Sequence, residues 1–146
     1  MSDAREVDRR LVLTYRIKIG ATLGAWCAPL LLLDGAVLRT LGLTPEPSLM
    51  PLRMLGWAYL ALCVGYAAGL RAALAGRVEN GPLDVGIVSN GGAALLLAWY
   101  GVTGSWTNWH MFVQFHLWGS ALVAALIAAS LLAARLRHRA TATVAA

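Results

Sequence analysis

From Val85 to Trp109 the chain runs for 25 residues without one Asp, Glu, Lys, Arg or His. A helix rises about 1.5 Å per residue, so a stretch of this length outruns a bilayer core of about 30 Å. It therefore predicts a membrane span together with its exit. A polar Ser89-Asn90-Gly91-Gly92 marks one end, and a Trp-rich, cation-free collar marks the other. Composition agrees with this assignment: 59% of the 146 residues are apolar, 13% are charged, and the mean hydropathy is +0.65. These values lie above globular usage for hydrophobicity and below it for charge, and a single membrane domain is expected over residues 1–146.

The net charge of +5 raises the question of nucleic acid. The basic residues, however, sit in short clusters flanking apolar runs, which is how topology uses them, and the lipid bilayer is the expected partner. Cys27 and Cys63 lie inside apolar runs without CxxC spacing and read as buried, inert thiols. Leu23 to Cys27 superficially matches a lipoprotein cleavage site, but Trp26 is too large for the residue before the cysteine. The segment is kept as a mature helix.

Four spans are predicted. Residues 1–10 form a polar, partly helical tail. The first span covers about 16–38, with Arg16 and Lys18 snorkelling into the headgroups, Pro29 as a mild kink and Asp34 interrupting the apolar run. Pro45, Pro47 and Pro51 make 40–51 an extended connector, in which Ser48 caps a second span over 52–70. Glu79-Asn80-Gly81-Pro82 is a turn that starts a third span, 83–102. Residues 104–109 turn the chain into a fourth span, 111–134, before the basic Arg135 to Arg139.

The distribution of charge then orients the map. Arg5, Arg9, Arg10, Arg16, Lys18, Arg71, Arg77, Arg135, Arg137 and Arg139 fall on one side, against Arg39 and Arg53 on the other. Basic residues concentrate on the cytoplasmic side, so both termini are expected there, in a bacterial inner membrane. The fold class is an all-α membrane protein with four transmembrane helices in an antiparallel bundle.

Close helix approach in lipid depends on small residues. Gly20 and Gly24 in the first span, and Gly65 and Gly69 in the second, form GxxxG motifs that predict a tight antiparallel contact. The fourth span offers a ladder of Ala121, Ala124, Ala125, Ala128 and Ala129. Asn90 falls in the same layer, either bonding Ser130 across helices as packing glue or serving a ligand.

On the outer side Asp34, Arg39, Glu46, Arg53, His110 and His116 gather beneath Trp99, Trp106, Trp109 and Trp118. An acid in an apolar run is expensive and usually finds a cation, so Arg53 is the expected partner of Asp34. Together with His110, His116, Trp106 and Trp109 they form either a polar outer cup for a small molecule or a structural ion pair at the membrane boundary. His110 and His116 stand about 240° apart round a helix, which prevents them from sharing a face as metal ligands. Neither metal nor haem is expected. The tryptophans fit an interfacial belt better than a ligand cage. No nucleophile with a base, phosphate loop or dinucleotide fingerprint occurs, and no catalytic residue is assigned.

Arg53 to Ala61, Gly65-Tyr66, Asp84 to Ala93 and Trp106 to Trp109 resemble the BphX-like family of small bacterial membrane proteins. The resemblance covers roughly residues 51–132. It implies an inner-membrane protein associated with aromatic-compound degradation, with no established activity and no catalytic residues. A second resemblance, to DoxX-like four-helix proteins, rests on architecture alone. The combined expectation is an accessory or binding protein without a cofactor. Its partners would be lipid and either a small apolar or aromatic molecule or another membrane protein. The alternatives are a small transporter for such a compound and a membrane redox subunit.

Overall fold

The computed structural model describes residues 8–41 and 48–144. Glu46, Pro45 and Pro47 of the first connector, and Arg5 of the tail, lie outside the described residues. All regular structure in the described chain is helical, with no strand among those residues.

The chain enters α1 (Arg9–Thr22) through Asp8, whose carboxylate accepts from the amides of Arg10 and Leu11 at 3.0 and 3.1 Å. This start lies seven residues before the expected Arg16, because Asp8 supplies an N-cap and the following Leu11, Val12 and Tyr15 find a core to bury in. A π-turn (Leu23–Cys27) follows, in which the Ala28 amide reaches back to Leu23. Pro29 explains it. Its ring lacks the amide that Ala25 would need and crowds that carbonyl, and a widened turn relieves both. The helix resumes as α2 (Ala28–Leu32), breaks at Leu33 and Asp34, which are extended, and ends in α3 (Gly35–Thr40).

The remaining helices are long. They are α4 (Met50–Leu74), α5 (Asn80–Val102) and α6 (Met111–Val144). The N-cap of α4 is Leu49, which makes no side-chain cap bond, and not the expected Ser48, whose hydroxyl accepts from the Met50 amide one residue earlier; Pro51 falls in the first turn as expected. Two glycines end α4 and α5 in the same way. Gly76 and Gly104 have φ of 68° and 77°, and the residue after each bonds back over five residues, Arg77 to Ala72 and Ser105 to Tyr100, both at 2.9 Å. A left-handed residue is needed to turn those amides onto the last carbonyls, and glycine takes it without a Cβ clash.

Among the described residues three helices, Met50–Leu74, Asn80–Val102 and Met111–His138, are long and apolar enough to cross a membrane. Their outward faces carry large apolar side chains such as Val64, Val88, Leu95 and Phe115, an arrangement suited to lipid and costly in water. α5 packs along α6 and α1 along α4, while α1 also touches α6 and α4 touches α5. The main core lies at the basic end, where Leu11, Tyr15, Tyr66, Leu83, Ile127 and Leu131 meet. A smaller cluster of Trp106, Val113 and Leu117 closes the far end, with Trp26, Leu41 and Leu97 against it.

The glycine prediction is corrected at three of four positions. A Cβ on Gly20, Gly24 or Gly65 would meet nothing within 4 Å, so these residues face outward. Gly69 is a true close approach, with Tyr15 at 2.8 Å and Pro82 at 2.7 Å from where a Cβ would stand. The other tight contacts are at Gly56 on Leu31, Gly86 on Leu131 and Gly101 on Trp118. Of the alanine ladder, Ala121 and Ala124 are buried, whereas Ala125 and Ala129 are exposed.

Candidate functional site

The two polar residues expected to pair at the outer boundary do not do so. Asp34 is the N-cap of α3 and accepts from the amides of Ala36 and Val37 at 2.8 and 2.9 Å. Arg53 donates to the carbonyls of Leu30 and Leu33 at 2.5 and 2.7 Å. The break in the first apolar run frees carbonyls on one side and amides on the other. The cation takes the first group and the carboxylate the second.

The rest of the expected outer cup is likewise dispersed. His110 caps α6, with its Nδ1 accepting from the Phe112 amide at 3.2 Å. Trp106 is 6% exposed and meets Trp118 edge-on at 5.8 Å, while Trp109 and Trp99 are exposed. Gln114 staples the intervening turn by donating to the carbonyls of Thr107 and Trp109. Among the described residues no three His, Cys, Asp or Glu side chains stand together. Cys27 and Cys63 are free and buried.

His116 belongs to a different place, a cavity of about 290 Å³ between α1 and α6. Lys18, Ala21 and Thr22 of α1, with Ala25 and Trp26 of the π-turn, form one wall. The opposite wall comes from α6 and includes Phe115, His116, Gly119, Ser120 and Ala124. Asn90 of α5 supplies the floor. The space exists because small residues face one another. Ala21 and Ala25 are spaced i, i+4 on one helix, as are Ser120 and Ala124 on the other, with nothing large enough to fill the gap. Towards the basic end the cleft is closed where Leu11, Val12 and Tyr15 meet Ile127 and Leu131. Phe115, Gly119 and Val123 are exposed at its mouth.

Asn90 is 1% exposed, and the Ser130 partnership expected for it is absent. Ser130 is exposed and bonds its own helix at Leu126, because its side chain points away from α5. The Asn90 amide nitrogen donates to Gly86 at 2.7 Å and lies 3.5 Å from Ser89 Oγ, which is itself 2.6 Å from the Tyr66 hydroxyl. Its carbonyl oxygen Oδ1 is buried without a protein partner among the described residues. Leaving such an acceptor unmet costs about 1–3 kcal/mol, and native structures rarely tolerate it outside a site that something else completes.

Lys18 is the second unusual group. Instead of snorkelling outward it turns inward, its Nζ 5.4 Å from the centre of the Tyr66 ring. The ion pairs Arg135–Asp84 and Arg137–Asp8 lie at the basic end, and neither involves Lys18. A ring face offers a cation some compensation, but no neutralising charge. Trp26 leans on His116 at 5.2 Å and on Tyr59 at 5.5 Å, so one aromatic wall is held by contacts on two sides. Chemically the cleft presents an apolar wall, the Lys18 cation, the His116 imidazole, the unmet Asn90 acceptor, and the side chains of Thr22 and Ser120.

Sequence reasoning missed Lys18, which was assigned to the headgroups, and missed Trp26 and Thr22 altogether. The available signal was the stripe Lys18, Ala21, Thr22, Ala25, at i, i+3, i+4 and i+7 on one helical face. Comparison with protein-family models, with curated proteins and with solved structures found no match for the chain.

Proposed function

We propose that this is a four-span protein of a bacterial inner membrane that binds a small apolar or aromatic molecule in the cleft between α1 and α6, with no catalysis of its own. The observation that carries the reading is the unmet Oδ1 of Asn90 in a cleft that also holds the inward-turned Lys18. Polar groups placed at membrane depth in an otherwise apolar wall are expensive, and they recur where a ligand completes them. Asn90 lies about 15 Å along α5 from its start, near the middle of a core of about 30 Å. The fourth span in this reading is the first apolar run, α1 with its π-turn and α2, whose break at Asp34 is capped on both sides.

The exposed mouth at Phe115, Gly119 and Val123 favours entry from the lipid, and transport of the same molecule is the second reading. An apolar diazirine photoprobe applied to the full chain in membranes tests the binding reading. Label is expected on Trp26, Phe115 and Val123, and competition by an excess of the unmodified compound should remove it. Uniform labelling of every outward face, without competition, would overturn the cleft as a site.

A further inference from the structure

We propose that the cleft takes a small apolar monocarboxylate bearing a hydroxyl group, its carboxylate held by Lys18 and its hydroxyl by Asn90. This rests on the binding reading above and names the chemistry of its ligand. Lys18 can only donate. Asn90 has two amide hydrogens, one given to the Gly86 carbonyl and the other directed at Ser89 Oγ, so the capacity it has left is the acceptor Oδ1. The two residues therefore make opposite demands, for an anion and for a hydrogen-bond donor, and one molecule carrying both satisfies them together.

Size and depth narrow the class. The cavity of about 290 Å³ is roughly twice the ~150 Å³ that takes one benzene, which suits a single ring or a short chain with its substituents. Trp26, Phe115 and Ile127 supply the apolar contact. A phosphate would face one lysine and no arginine, too little for a dianion, and headgroup phosphates lie a half-bilayer away from the level of Asn90. A neutral hydrocarbon would leave both polar groups unmet.

The test uses the full chain in lipid nanodiscs at neutral pH, with equilibrium binding of radiolabelled benzoate, 3-hydroxybenzoate, 4-hydroxybenzoate and benzyl alcohol. Benzoate should bind about tenfold more tightly than benzyl alcohol, and the better hydroxybenzoate about tenfold more tightly than benzoate. Lys18→Met should abolish the first preference and Lys18→Arg should retain it, while Asn90→Leu should abolish the second. The unaltered chain decides by itself should these variants fail to fold. Equal binding of benzyl alcohol and benzoate would overturn the assignment to Lys18 while leaving a cleft for apolar molecules. Equal binding of benzoate and both hydroxybenzoates would overturn the assignment to Asn90 and mean that water meets its oxygen. Failure of all four probes to bind, with the photoprobe also unable to label the cleft, would remove the site itself.

Discussion

Arg53 and Asp34 are both spent on main-chain groups at one helix break, the guanidinium on two carbonyls and the carboxylate on two amides. Opposite charges close in sequence and depth invite pairing, but the freed ends of α2 and α3 compete for them and offer several bonds in fixed geometry. Asp34→Ala should cost about 1 kcal/mol, the usual worth of an N-cap. Arg53→Met should cost about 1–3 kcal/mol, because two charge-assisted bonds are lost. Since the two side chains share no partner, the double variant should equal the sum to within about 0.5 kcal/mol. Unfolding in a graded mixture of mild and denaturing detergents would measure this. A double variant clearly less damaged than the sum would restore the ion pair.

At the scale of elements, the tightest seam is between α5 and α6, where Gly86 receives Leu131 and Gly101 receives the Trp118 ring. Arg135 locks the basic end of that seam by bonding Asp84 at 3.0 Å and also the Asn80 side chain. The seams that α4 makes with α1 and α2 close differently, through Tyr15 of α1 over Gly69 and Leu31 of α2 over Gly56. Gly86→Leu should therefore destabilise the fold by about 1–3 kcal/mol or more through overpacking. Gly65→Leu, with open space around it, should stay within about 0.5 kcal/mol of the parent. Resistance to denaturing detergent separates the two, and equal losses would place Gly65 back in a contact. The GxxxG spacing was legible in the sequence, but whether it faces a helix or lipid was not. Gly20 and Gly24 show the same ambiguity.

For the molecule as a whole, the proposed four-span map places both chain ends on the side that holds Arg71, Arg77 and Arg135. A reporter active only in the cytoplasm, fused after Ala146, should be active, and one inserted between Gly104 and Thr107 should be silent. An active reporter at the second position would mean an odd number of crossings or an inverted chain. The early start of α1 has a packing cause: Leu11, Val12 and Tyr15 extend the core ahead of the expected first span and meet α6 at Ile127 and Leu131. This contact closes the basic end and leaves the cleft above it open between the same two helices.

What the sequence determined by itself was the helical content, most of the helix limits and the membrane character. These follow from local causes: uncharged runs of spanning length, Pro51 in the first turn of its helix, and the turn at 104–109 that separates the last two helices. Only the tertiary structure decided which face of each helix meets a neighbour, and with it the inward turn of Lys18, the isolation of Asn90 Oδ1 and the separation of Asp34 from Arg53. The physical reason is that lipid is as apolar as a packed interface. A spanning helix carries no amphipathic stripe to distinguish the two, and shape complementarity between particular side chains, such as Leu131 over Gly86, makes the choice.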